Sequence, residues 1–274
     1  MRFISNLFQF YINSSIHVAL AVLAFVGITL FEYDISVSNS FPWYIFLATI
    51  TGYNFVKYAP VAGLHHRSLA QSLRVIQVFS FIAFLGLLCV SWLQPIPVLV
   101  GTFVLGLLTL LYAIPLLKNR SLRTIAGLKI FIVALVWAGS TVFLPAVFGG
   151  ILNHLDVWIS FIQRLLLVMV LTLPFEIRDL PYDKRTLGTI PQRMGVRTTK
   201  WLGTISIVLI LLVEWMKESA ADVHFYYLIG ICAITTIALW KASPKQSSYF
   251  ASFWVEGIPI LGWLLYYGLL QITS

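Results

Sequence analysis

The chain has 274 residues, of which 59% are hydrophobic and only 10% charged, and its mean hydropathy is +0.91. A water-soluble domain carries about a quarter charged residues, so too few are present to cover a soluble surface, and the chain reads as an integral membrane protein. The formal net charge of +8 then reflects membrane topology and anionic lipid, and a nucleic-acid surface is a poor explanation for it.

The apolar runs are long and lack the short alternating segments of an outer-membrane barrel. Helices are the remaining way to satisfy backbone groups in lipid. A span needs about 20 mostly apolar residues, and on that measure the sequence predicts nine, over 10–31, 41–58, 73–93, 96–114, 125–148, 157–176, 200–216, 224–241 and 252–271. The opening stretch, Met1 to Phe25, lacks the compact basic, apolar and small-residue pattern of a cleaved signal; it reads as the start of the first membrane helix, retained. Only Gln94-Pro95-Ile96-Pro97 separates the third span from the fourth, and paired prolines make a credible tight turn. Cys89 and Cys232 lie inside apolar runs and read as packing residues, since nothing resembles a disulfide framework or a CxxC site. No linker divides the chain, which is read as one transmembrane domain over 1–274.

Nine spans forecast a charge pattern, because cytoplasmic loops collect Lys and Arg. With the N-terminus inside, all but two of the 18 Lys and Arg fall at the inner ends. The exceptions are Lys217, in an outer loop, and Arg164, inside the sixth span. Glu32, Asp34, Asp156, Glu218 and Asp222 fall on the outer side. The expected location is a cytoplasmic membrane of bacterial type, with the C-terminus outside.

The sixth span ends in Phe175-Glu-Ile-Arg-Asp-Leu-Pro-Tyr-Asp-Lys-Arg185, which is unlike the rest of the chain. Asp179 and Asp183 are four residues apart and share a face if the segment is helical, although Pro181 lies between them. Glu176 is one turn earlier. Lys118, Arg120 and Arg123 reach the same membrane face from the preceding inner loop. Paired carboxylates beside cations suit a Mg²⁺-bound diphosphate, since magnesium uses one or two carboxylates together with phosphate oxygens and Lys or Arg neutralises the remaining charge. The plainer alternative is that Asp179 and Asp183 pair with Arg178, Lys184 or Arg185 in a solvated loop. A head group at the interface with an apolar tail between helices describes a prenyl diphosphate. Arg164 and Glu256, each inside a span, are costly in lipid and should face a cavity or a partner. Trp137 and Gly139 read as packing residues.

Two further stretches carry a resemblance. Asp179-Leu-Pro-Tyr-Asp183 is followed by Gly188-Thr189-Ile190-Pro191-Gln192-Arg193-Met194-Gly195, and the fourth span ends in Leu111-Tyr112-Ala113-Ile114-Pro115-Leu116-Leu117-Lys118. The first resembles the second aspartate-rich motif of the UbiA superfamily of intramembrane prenyltransferases, D-x-x-x-D then T-[LI]-P-x-x-x-G. The second is similar to that family's L-Y-S-x-P-x-x-x-K. The resemblance implies an all-α fold of nine transmembrane helices around a central cavity. It implies that Asp179 and Asp183 hold Mg²⁺ and the diphosphate, and that the allylic C–O bond ionises so that a lipophilic acceptor is prenylated. Such chemistry needs a dry apolar tunnel and aromatic faces. Asn54, Lys57, Tyr112, Lys118, Arg123 and Lys184 are the expected substrate-binding residues.

The family's first motif, N-D-x-x-D-x-x-x-D, is degenerate here. The matching stretch is Asn54-Phe55-Val56-Lys57-Tyr58-Ala59-Pro60-Val61-Ala62, with Phe55, Tyr58 and Ala62 at the acidic positions. Three readings stay open. One metal remains on Asp179 and Asp183 while Lys57, His65, His66 or Arg67 meets the diphosphate directly; or the protein binds an isoprenoid lipid without chemistry; or it works on another substrate, for example by cyclising a prenyl chain.

Overall fold

The computed structural model describes residues 2–58, 67–114, 127–182, 187–218 and 222–273, with the side chains at 2–3, 67–72 and 273 left aside. All regular structure among them is helical. The elements are α1 (Arg2–Asn13), α2 (Ile16–Glu32), α3 (Ser40–Tyr58), α4 (Arg67–Ser91), α5 (Ile96–Ala113), α6 (Leu128–Ala138), α7 (Leu144–Gly149), α8 (Leu155–Asp179), α9 (Ile190–Glu214), α10 (Asp222–Lys241) and α11 (Ile258–Thr273). Two π-helical segments, Gly139–Phe143 and Phe250–Val255, continue into α7 and lead towards α11.

Seven helical units are long and apolar enough to cross a bilayer, and the bent pair α1–α2 makes an eighth. The span expected over 41–58 is present as the helix α3, 19 residues long, but it is less apolar than the other eight: Trp43, Tyr44, Tyr53, Asn54, Lys57 and Tyr58 lower its hydropathy, and several of these are committed to other helices.

The bend between α1 and α2 shows why. The two helices meet at 56°, around Ser15 in a left-handed conformation at φ 63°. A break inside a membrane leaves backbone carbonyls without helical partners. The last turns of α3 supply them. Asn54 Nδ2 donates to the Ser14 carbonyl at 3.0 Å, and its Oδ1 accepts from the Ser15 hydroxyl at 2.8 Å. The Tyr58 hydroxyl donates to the Asn13 carbonyl at 2.7 Å, and Lys57 Nζ approaches the same oxygen at 3.3 Å.

The helices close into a ring. α2 packs on α3 and α11, α3 on α4 and α5, α5 on α6, α6 on α8, α8 on α9, and α9 and α11 on α10. One apolar core runs through this ring, with Phe25, Ile28, Phe41, Ile177, Ile210 and Ile231 fully buried. The turn from α4 to α5 is held by Gln94 and Leu93 bonding back to Ser91 and Val90, and Pro95 and Pro97 start α5 as the sequence predicts. α5 approaches the π segment closely: a Cβ on Gly139 would lie 2.6 Å from Leu105.

One end of the ring is tied by buried charge. Lys217 Nζ lies 2.7 Å from Glu32 and 2.9 Å from Glu214, with all three side chains almost fully buried. Ser160 donates to Glu32 at 2.7 Å, and Gln163 donates to Glu214 at 2.9 Å. His224 Nε2 stands 3.5 Å from Glu32. α2, α8, α9 and α10 thus meet in one clasp. Arg164, buried on α8, donates to the Phe25 carbonyl at 3.1 Å and lies 4.0 Å from the Phe25 ring centroid.

Candidate functional site

Two internal chambers open in the ring. The larger, about 1070 Å³, lies among α3, α4, α5 and α6. The smaller, about 230 Å³, lies among α6, α8 and the start of α11. Tyr53, Val133 and Trp137 line both. Trp137 Nε1 donates to the Tyr53 hydroxyl at 2.8 Å, with the rings edge to face. This pair forms the partition between the chambers. Nothing in the sequence separates Trp137 from an ordinary packing residue, because a tryptophan in an apolar run carries no local sign of what it faces.

The smaller chamber is the acidic one. Glu176, Asp179 and Glu256 all line it, with Lys129. Lys129 Nζ is 2.6 Å from Glu176, which is only 3% exposed. Arg178 grips its neighbour Asp179 with two bonds, Nε to Oδ1 at 2.8 Å and NH2 to Oδ2 at 3.2 Å. Asp179 keeps 30% of its side chain exposed, so its carboxylate stays reachable. Glu256 follows the π segment directly and feels the charge of Lys57 and Arg178. The π segment is held by His17, which bonds the Phe253 carbonyl at 2.9 Å and the Tyr11 hydroxyl at 2.8 Å. π-turns recur at functional sites, and here one brings an acid from the last helix to the chamber that Asp179 lines.

The larger chamber is mostly apolar, with Gln77 and the unpartnered Thr51 hydroxyl among its few polar groups. Five of its hydroxyls are spent on their own helices. Thr49, Ser80, Thr102, Thr109 and Ser140 each donate to the carbonyl four residues back, at 2.7–2.9 Å. Asn54, Tyr58 and Tyr112 line its end nearest the acids. Asn54 is saturated, since Nδ2 also donates to Ser80 at 2.8 Å.

Residues 187–195 are built for turning. Gly188 takes φ 54°. Thr189 precedes α9, and its N–H donates to the Gln192 side chain at 3.1 Å, one half of a capping box. Pro191 sits in the first helical turn, where its missing N–H is harmless. Gly195 adopts φ 79°, ψ 160° and kinks the helix. Thr189, Pro191 and Gly195 of Thr-Ile-Pro-x-x-x-Gly therefore each have a backbone role at the start of α9.

Of the residues expected at the site, Asp179 lines the smaller chamber, and Asn54 and Tyr112 the larger. Lys57 lies at the α1–α2 break, within electrostatic reach of Glu256. Asp183, Lys118, Arg123 and Lys184 lie outside the described residues, as do His65 and His66 and the side chain of Arg67. Among the described residues no three His, Cys, Asp or Glu side chains gather as a metal-ligand set. Carboxylate oxygens facing a chamber are nonetheless the right donors for Mg²⁺, which takes one or two of them and completes its shell with water and phosphate. Lys129, Trp137 and Tyr53 were not expected at the site; Lys129 carried a signal, as a cation at the edge of an apolar span.

No family model and no curated protein matches this sequence. Solved structures do. A UbiA homolog from Aeropyrum pernix K1 aligns at TM-score 0.61 and 12% identity, covering 93% of this chain and 97% of its own. A UbiA homolog from Archaeoglobus fulgidus, solved with GPP and Mg²⁺, aligns at TM-score 0.60 and 11% identity, over 96% and 99%. A structure described for digeranylgeranylglyceryl phosphate synthase aligns at TM-score 0.59 and 15% identity, over 97% and 99%. The chain has the fold of the UbiA-type intramembrane prenyltransferases.

Proposed function

We propose that the chain is an intramembrane prenyltransferase, moving a prenyl group from a prenyl diphosphate to a lipophilic acceptor. The observation that carries this reading is Asp179. It lies reachable at a chamber lined by two further acids and a lysine, and that chamber shares an aromatic wall with a large apolar one. The fold relative solved with GPP and Mg²⁺ supports the same substrate class.

Asp179, with Asp183, would hold Mg²⁺, which when bound offsets the diphosphate's negative charge. Arg178 keeps the Asp179 carboxylate oriented, and its planar fork also matches phosphate oxygens. Lys129, neutralised by Glu176, keeps the chamber from accumulating charge. Tyr53, Trp137 and Phe175 offer aromatic faces, which favour cationic character in the reacting allylic group. The surrounding apolar walls limit water, the competing acceptor. The Lys and Arg distribution supports an inside N-terminus and an outside C-terminus, with the acids on the cytoplasmic face.

A second reading, an isoprenoid-binding protein without chemistry, is favoured by one feature. The α3 stretch holds no acid, and Lys57 and Tyr58 spend polar atoms on the Asn13 carbonyl. The test is binding of a non-hydrolysable prenyl diphosphate analogue to detergent-purified protein, with and without Mg²⁺. Binding that needs Mg²⁺ and is lost in Asp179→Ala supports the site. Tight binding indifferent to both rejects it. Release of diphosphate from the natural substrate then separates the enzyme from the binder.

A further inference from the structure

We infer that the paired ends of α9 and α10 bind an anionic phospholipid, its phosphate among Arg197, Lys200 and Lys241 and its acyl chains along the apolar face that continues from them. This surface is separate from the site at Asp179.

It begins as charge that the two chambers do not use. Arg193, Arg197 and Lys200 lie on α9, Lys241 ends α10, and Lys245 follows shortly after. No Asp or Glu occurs from Ile190 to Val213 or from Val223 to Val255. Among the described residues, none of these cations is in an ion pair, and no residue of α9 or α10 lines either chamber. A diphosphate held beside Asp179 therefore leaves these charges unanswered.

The packing of the two helices gathers the cations. α9 and α10 lie against each other, and their ends are pinned together. Lys200 Nζ donates to the Trp240 carbonyl at 2.7 Å, and Trp240 Nε1 donates to the Thr204 hydroxyl at 3.0 Å. The rings of Trp201 and Trp240 meet edge to face at 5.3 Å, and both are exposed. Lys241 follows the carbonyl that Lys200 holds. Gly195 kinks α9, so Arg197 and Lys200 fall in the first two turns of its straight part. Arg197 and Trp201, four residues apart, share a face. That face continues through Ile205, Val208 and Leu212, all exposed.

Cations, then two indoles, then aliphatic side chains is the order of a phospholipid's own phosphate, ester zone and acyl chains. Tryptophan belongs at the headgroup level, and basic sites between helix ends hold anionic headgroups. The helix dipole adds to the demand for an anion. The start of a helix favours negative charge, yet α9 has no acid in its first turn and carries Arg193 and Arg197 near that end. A zwitterionic headgroup brings its own cation and answers less of this charge.

The test is native mass spectrometry of detergent-purified protein titrated with palmitoyl-oleoyl phosphatidylglycerol or with the phosphatidylcholine of the same chains. The wild type should bind the first about tenfold or more tightly than the second. Losing one cation from contact with an anionic lipid weakens it about fivefold. Arg197→Gln and Lys241→Gln should each lose about that much for phosphatidylglycerol and hold phosphatidylcholine within about twofold. Arg197→Lys keeps the charge and should stay within about twofold of wild type. Arg74→Gln removes an exposed cation from α4 and should leave both affinities as they are. Equal wild-type affinity for the two lipids overturns the inference. So does a loss in Arg74→Gln as large as that in Arg197→Gln, since overall charge would then be the cause. If inorganic phosphate at the same concentration displaces phosphatidylglycerol, the surface is a site for free anions and the inference fails. Should Arg197→Gln not fold, Lys241→Gln, at the exposed last residue of α10, decides between the same outcomes.

Discussion

The indole of Trp137 is hydrogen-bonded at 2.8 Å to the hydroxyl of Tyr53, and this single bond closes the wall between an acidic chamber and an apolar one. Phe25 packs edge-on to the other side of Trp137, so the indole is held by contacts as well as by the bond. Trp137→Phe keeps most of the packing but removes the donor. The expected cost is about 1 kcal/mol, read as a lowered melting temperature in detergent. Tyr53→Phe should cost a similar amount, and the double variant little more than either alone. Additive losses would mean that the two residues act separately.

The clasp around Lys217 gives a stronger effect. Glu32 and Glu214 are buried on either side of it. Removing the cation leaves two carboxylates without their counter-charge in a dry site. Breaking a buried pair from one side costs about 3–5 kcal/mol, so Lys217→Met should lower the melting temperature sharply. Adding Glu214→Gln should recover part of the loss, because one stranded charge is then gone. A Lys217→Met variant as stable as wild type would show that water reaches these carboxylates.

Asn54 is expected to be a structural residue whatever else it does. Its amide gives hydrogen bonds to the Ser14 carbonyl and to Ser80, and takes one from Ser15. Asn54→Asp keeps the size and the acceptor but loses both donors. It should cost about 1–3 kcal/mol and speed amide hydrogen exchange at the α1–α2 break. Unchanged exchange there would mean that the break holds without α3.

The helices were legible because apolar length is a local property. α4, α5 and α8 to α11 follow from their own residues. α3 also lies where the sequence places it, over Ser40–Tyr58, but what its polar residues do, serving a bend in another element, is not visible in a local window. The clasp was not legible at all, since Lys217 reads as an isolated outer cation until Glu32 is brought 185 residues back to it. At the site, Asp179 could be found from its spacing and its neighbours. Trp137 and Glu256 could not, because their importance lies in which chamber they face. Glu256 could be flagged only as an acid too costly to leave in lipid.

Gly195 offers the last prediction. Its backbone lies at φ 79°, ψ 160°, a region that essentially only glycine occupies. There is room for a side chain, since a Cβ would meet nothing within 4 Å. Any cost of Gly195→Ala is therefore a backbone cost, of about 1–3 kcal/mol. The kink also sets the angle between the first turn of α9, Ile190–Met194, and the rest of that helix, which packs on α8, and the Thr199 hydroxyl bonds the Gly195 carbonyl at 2.8 Å to hold it. An alanine that straightened the helix would move that turn. Gly195→Ala should thus lose both thermal stability and affinity for the diphosphate analogue. Gly268→Ala, where a Cβ also meets nothing within 4 Å and the backbone is ordinary helix, should lose neither. Loss of stability with analogue affinity intact would confine Gly195 to the fold and separate the kink from the site.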